Sequence, residues 1–209
     1  MTIEHLLAFA AFAFVSSVTP GPNTLMLMAS GTNYGVSRTV PHALGVSIGF
    51  VIMVVLVGLG LVRVFEMFPA SYDVLKTVSV LYLVYLAWKI ASAPPPAGDA
   101  KEGEASGGRP LTFLQAALFQ WVNPKGWTMA LTAVTAYTLP GAPIYSLLII
   151  ALLFGLINFP SVSSWAVMGR QLRRALEHPA RLRTFNIIAA LLLLGSLWPI
   201  LTAGGLDMA

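Results

Sequence analysis

The chain has no cysteine, which excludes disulfides, thiolate metal sites and thiol nucleophiles. Charge is almost as scarce. Only 10% of the 209 residues are Asp, Glu, Lys or Arg, against about 25% in a soluble domain. The eight acids, Glu4, Glu66, Asp73, Asp99, Glu102, Glu104, Glu177 and Asp207, all fall in tails, loops or the ends of apolar runs. No carboxylate lies deep within such a run, where a membrane proton relay usually keeps one. Nor is there an aspartate pair, a serine-nucleophile motif with a partner histidine, or a cluster of metal-ligand residues. An intramembrane enzyme is therefore not expected, and neither a cofactor nor a metal is implied.

What is present is apolar. Hydrophobic residues make up 57% of the chain and the mean hydropathy is +0.79. Runs of about 20 apolar residues, the length that spans a bilayer as a helix, recur near 4–30, 36–62, 71–91, 111–137, 143–169 and 184–205. A barrel would instead show alternating segments of about ten residues. Met1 to His5 contains no Lys or Arg ahead of the first run, so residues 6 onward read as a retained span and not as a cleavable signal. The sequence pI of about 9.6 invites a nucleic-acid partner. The basic residues sit in loops between spans, where membrane topology accounts for them, so none is expected.

Between the third and fourth runs lies a Pro- and Gly-rich stretch with mixed charges, including Pro94-Pro95-Pro96 and Gly107-Gly108. That composition reads as a flexible, solvated linker. It divides the chain into 1–91, a three-helix unit; 92–110, the linker; and 111–209, a second three-helix unit. Lys and Arg gather in alternate loops: Arg38 after the first run, Lys89, Lys101 and Arg109 after the third, and Arg170, Arg173, Arg174, Arg181 and Arg183 after the fifth. The loop after the second holds only Arg63 and Lys76. The positive-inside rule then makes the odd loops cytoplasmic and puts both termini outside. Three spans per half is an odd number, so two similar halves must lie in opposite orientations.

Two clusters interrupt the runs at matching places, Thr19-Pro20-Gly21-Pro22-Asn23 and Asn123-Pro124-Lys125-Gly126. Proline removes a backbone donor and clashes with the preceding turn, so helices one and four should break there. Unwound backbone in a membrane is tolerated only inside protein or along a polar cavity. Paired breaks in two halves therefore point to a transporter's substrate site. Pro20, Gly21, Pro22, Asn23, Asn123, Pro124, Lys125 and Gly126 are the candidate binding residues. Lys125 is the one cation well inside an apolar run, a placement that costs roughly 2.5–3.5 kcal/mol without a partner or a task. It can snorkel, pair with freed carbonyls of its own broken helix, or contact a cargo carboxylate. Asn23 and Asn123 are expected to cap the restarted half-helices and can also meet cargo.

His42, Asn158 and Ser161 are secondary candidates for cavity lining or coupling. His42 follows Pro41 at the start of the second run. Asn158, Ser161, Ser163 and Ser164 surround Pro160 and should re-satisfy the backbone at that kink. Gly31-x-x-x-Gly35 and Gly45-x-x-x-Gly49 permit close helix approach, within one subunit or in a homodimer.

At these clusters the chain resembles the LysE/RhtB family of amino-acid exporters. The resemblance runs through 19–23, the Gly-rich stretch from Gly35 to Gly60, YLVYLAWKI at 82–90 and Asn123-Pro124-Lys125-Gly126, in the family's order. SIGF at 47–50, YLAWKIASAP at 85–94 and ALFQWVNPK at 117–125 are most similar to the branch exporting cysteine and O-acetylserine. The resemblance implies six spans, a small secondary exporter in the bacterial inner membrane, neutral or basic amino acids as cargo, and export driven by protons. Many members place an acid or histidine directly after the second glycine of the span-two motif, whereas this chain has Phe50.

The fold class expected is thus an all-α polytopic membrane protein, six transmembrane helices as two inverted three-helix repeats, with helices one and four broken. The function expected is export of small neutral amino acids by alternating access, because no internal acid is present to balance a cationic cargo. A passive channel or a lipid-handling protein on the same scaffold is the alternative.

Overall fold

A computed structural model describes residues 1–68, 70–93, 109–176 and 178–198. All the regular structure among them is helical: α1 (Ile3–Val18), α2 (Pro22–Tyr34), α3 (Val36–Leu56) with a π-helical turn at Val57–Leu61, α4 (Val62–Met67), α5 (Ala70–Ala91), α6 (Phe113–Phe119) with a 3-10 turn at Gln120–Val122, α7 (Pro124–Tyr137), α8 (Pro143–Ala175) and α9 (Pro179–Gly195). Residues 94–108, which hold most of the expected linker and Lys101, lie outside the described residues, as do Glu177 and Asp207.

Both expected breaks are present, and they have one cause. A residue ahead of proline is pushed out of the helical region by the ring. Thr19, before Pro20, is extended at φ −62°, ψ 138°, and Asn123, before Pro124, is extended at φ −95°, ψ 106°. A proline then opens each restarted helix, where its missing N–H costs nothing. The first run is therefore two helices bent by 53° and reaching Tyr34, not one span ending near 30. Gly35, at φ 82°, makes the whole turn from α2 into α3, a conformation that glycine adopts without strain.

Three described helices are long and apolar enough to cross a membrane alone: Val36–Leu61, Asp73–Ala91 and Pro143–Arg173. The bent pair α1–α2 makes a fourth. The other two expected spans fall short of that measure among the described residues. Phe113–Val122 is cut off by the Asn123 break, and α9 has 17 residues, about 26 Å at 1.5 Å per residue.

The core forms two apolar clusters. One gathers Met26, Val46, Leu83, Phe119, Val162 and Leu193; the other gathers Phe9, Phe50, Met53, Met129, Ile150 and Phe154. Four chain segments pass from one cluster to the other, and each changes cluster at a polar residue. The α1–α2 pair crosses near Ser17 to Asn23, α3 at Ser47, α6–α7 at Gln120 to Lys125, and α8 at Asn158. The direction of passage is opposite for α1–α2 and α6–α7, and opposite again for α3 and α8. His5 at the start of α1 accordingly lies against Tyr137 at the end of α7, 5.6 Å between ring centroids.

Glycines set how closely these segments approach. Gly31 lies against the backbone of Ala166, Gly169 against Met28 and Thr32, and Gly45 and Gly49 against Phe113 and Ala117. Gly45-x-x-x-Gly49 is thus a contact within the subunit, whereas Gly31-x-x-x-Gly35 is not a single helix face, because Gly35 is the turn.

Candidate functional site

The two breaks face one another at the middle of the bundle. Unwinding frees carbonyls, and the freed groups at the first break are taken up by other helices. Trp165 Nε1 on α8 donates to the carbonyl of Val18 at 3.1 Å. Lys125 Nζ donates to the carbonyl of Thr19. The Thr24 hydroxyl accepts from the Gly21 N–H at 2.8 Å and donates to the Gly21 carbonyl at 3.0 Å. At the second break Trp127 Nε1 reaches back to the carbonyl of Trp121 at 2.9 Å. Lys125 therefore does not pair with its own helix. It crosses to the other broken helix, and its stem fills the space beside Gly21, where a Cβ would lie 2.8 Å from Lys125 Cδ.

The asparagines do not cap. Asn123 stands at the N-cap of α7 without a side-chain cap hydrogen bond, and its buried Oδ1 has no partner among the described residues. Asn23 lies inside the first turn of α2, whose N-cap is Gly21. Its amide pairs with that of Gln120: Asn23 Nδ2 donates to Gln120 Oε1 at 2.8 Å, and Gln120 Nε2 donates to Asn23 Oδ1 at 3.2 Å. At the first break the expected capping gives way because Thr24 already satisfies Gly21, which leaves the Asn23 amide free to pair with Gln120. Asn158 bridges two more helices. Its Nδ2 donates to Ser17 Oγ at 3.1 Å and its Oδ1 accepts from Ser47 Oγ at 3.0 Å.

Between these groups is a cleft of about 320 Å³ including its open mouth, lined by Gly21, Asn23, Asn123, Lys125, Gly126 and Asn158 among others. Ser16, Ser17, Thr24, Phe50, Met129 and Val162 complete the wall. No acid lines it. Two secondary candidates are elsewhere. Ser161 donates to the Ile157 carbonyl at 2.7 Å, re-satisfying the turn that Pro160 disturbs. His42 faces a different pocket, beside Lys89 and Arg109.

Gln120 and Phe50 are the site residues that sequence reasoning left unassigned. The signal for Gln120 was a lone polar residue inside an apolar run, three residues ahead of a break. Its pairing gives a direct test. Asn23→Leu should lower stability by about 1–3 kcal/mol, because the fully buried Gln120 Oε1 loses its donor while Nε2 keeps the Ala116 carbonyl. The double variant N23L/Q120L should recover part of that loss, read as thermal unfolding in detergent. Strict additivity of the two single losses would remove the pair from this account.

Comparison with known proteins places the chain in a family. The family model described as LysE type translocator matches residues 14–196. A cysteine/O-acetylserine efflux protein of Salmonella typhimurium (strain LT2) is 30% identical over 194 residues, 92% of this chain and 95% of the relative. Its namesake in Salmonella paratyphi A is 31% identical over the same shares, and that in Escherichia coli (strain K12) is 29% identical. No solved structure matches.

Proposed function

The chain belongs to the LysE type translocator family, a transporter and not an enzyme, and on that premise we propose that it exports small neutral amino acids or close derivatives across the bacterial inner membrane. Cargo is held in the cleft between the breaks, and the cleft opens to each side in turn. One observation carries this reading: the Lys125 ammonium, beside the break cleft, meets no acid among the described residues and only the carbonyl of Thr19. A carboxylate offers the ammonium a full opposite charge in place of a carbonyl dipole, and so a stronger Coulombic partner. The Thr19 carbonyl released by that exchange, and the unpartnered Asn123 Oδ1, are acceptors suited to the cargo's ammonium. A cationic side chain would find no acid in the wall, which favours neutral cargo. The efflux proteins of cysteine and O-acetylserine among the relatives fit the same chemistry.

Alternating access draws support from the opposed directions of the two broken helices and of α3 and α8. Such opposition is what two inverted three-helix units, 1–91 and 111–209 joined by 92–110, would produce. The six spans, the cytoplasmic odd loops and the outward termini belong to the same proposal. If protons drive export, they do not pass through position 50. Phe50 forms cleft wall there, packed edge-to-face on Phe154 at 4.9 Å between centroids.

Cells preloaded with a panel of amino acids should, on expression of this chain, lose the small neutral ones against a gradient, and an uncoupler should abolish the uphill component. Equilibration unaffected by the uncoupler would establish the channel alternative. Unaltered retention of the whole panel would end the exporter reading.

A further inference from the structure

A second polar pocket lies away from the breaks, between α2, the start of α3, the end of α5 and the residues just ahead of α6. It encloses about 420 Å³ including its mouth, with walls that include Met26, Leu86, Ile90 and Leu111. Three basic side chains line it, His42, Lys89 and Arg109, and no acidic residue among the described residues does. The other polar groups of the lining are largely spent. Ser30 is paired with Thr39 at 2.9 Å, and the Asn33 amide is exchanged with that of Asn186 at 3.0 and 3.3 Å.

His42 is the exception. Its side chain is 1% exposed, yet neither ring nitrogen has a hydrogen-bond partner among the described residues. Whichever nitrogen carries the hydrogen lacks an acceptor among the described residues, and a buried donor left unpaired is destabilising. The charges of Lys89 and Arg109 act on one another, and that of Lys89 on the imidazole. Like charges gathered in a partly desolvated pocket repel unless an opposite charge joins them. One occupant would answer all three groups: it accepts from the imidazole N–H, and its negative charge balances the two cations.

We propose that the pocket formed by His42, Lys89 and Arg109 is a second binding site, for a small oxyanion: a carboxylate or a phosphate group. The source is either a soluble carboxylate such as that of an amino acid or the phosphate of a lipid headgroup. The site stands apart from the break cleft and does not depend on what that cleft carries.

The full chain in phosphatidylcholine nanodiscs, with isotope-labelled histidine, provides the test. The three histidines are assigned by omission in His42→Gln. Sodium acetate or inorganic phosphate should shift the His42 ring signals and leave those of His5 and His178 in place. The double variant K89M/R109M should weaken the response at least tenfold, whereas K125M, in the break cleft, should not change it. A response in phosphatidylcholine discs makes a soluble oxyanion the source, and one that needs phosphatidylglycerol makes it a headgroup; both uphold the site. No response to any of the three probes, or equal responses with and without Lys89 and Arg109, overturns it. A response that appears only after D99N/E102Q/E104Q would show that the chain's own acids fill the pocket, and would also overturn it.

Discussion

Lys125→Met should reduce export by about 10- to 100-fold at subsaturating cargo, the equivalent of one charged hydrogen bond of about 1.5–3 kcal/mol. The protein should still insert and accumulate in the membrane. Methionine keeps an apolar stem to cover Gly21, where the lysine stem now packs, and removes only the ammonium. The Thr19 carbonyl that loses its partner belongs to an exposed residue at the cleft mouth, so water can take the vacant place at little cost. Lys125→Ala should show the same loss of export with a further loss of stability from the missing stem. Efflux from preloaded cells, normalised to membrane-inserted protein, separates the two effects. Normal export by both variants would sink the proposed carboxylate contact, while leaving the family assignment and the fold untouched.

The second large effect concerns packing. Gly31→Val and Gly169→Val should each yield little or no folded protein. A Cβ at either position would overlap main-chain atoms of the opposite helix, the Ala166 carbonyl in one case and the Met28 carbonyl in the other. A side chain in the way can change rotamer, whereas a backbone carbonyl moves only with its helix. Overpacking a core typically costs about 1–3 kcal/mol, and more where nothing can yield. A native margin of about 5–15 kcal/mol does not absorb much of that at the tightest helix pair of the bundle. Gly155→Ala is the control, since its added Cβ would meet only a side-chain methyl of Val51 at 3.2 Å. Size-exclusion profiles and thermal unfolding in detergent should show the two valine variants collapsed and the alanine variant close to the parent. A Gly31→Val protein that unfolds at the parent's temperature would contradict the α2–α8 contact itself.

The breaks were legible in the sequence because their cause is local. Thr19-Pro20 and Asn123-Pro124 are extended for reasons contained in two residues, and no partner had to be known. The extents of α3 and α5 were also readable, since Val36–Leu61 and Asp73–Ala91 are apolar nearly from end to end. The partners at the site were not. Gln120 pairs with Asn23 across 97 positions, and nothing near either residue announces the other. The capping role expected of Asn23 failed because Thr24 had already closed the first cap, and its amide pairs with Gln120 instead; Asn123 stands at its cap position without the bond. Phe50 was visible as a departure from a family pattern. Only the packing of α3 on α8 shows that the departure faces the cleft. His42 could not be sorted from sequence between interface and cavity, because its pocket is assembled from the ends of four segments.

The joints of the two half-helices that restart after a proline are unequal. α7 is joined to α8 by the longer run from Thr138 to Ala142, a turn closed by the Ala142 N–H on the Leu139 carbonyl and tied to α8 by the Leu139 N–H on Ser146 Oγ. α2 is joined to α3 by Gly35 alone. A lever pinned so tightly to its neighbour cannot swing without turning it. Whatever displaces Asn23 at one end of α2 would therefore be passed through Gly35 to α3, which carries Ser47 and Phe50.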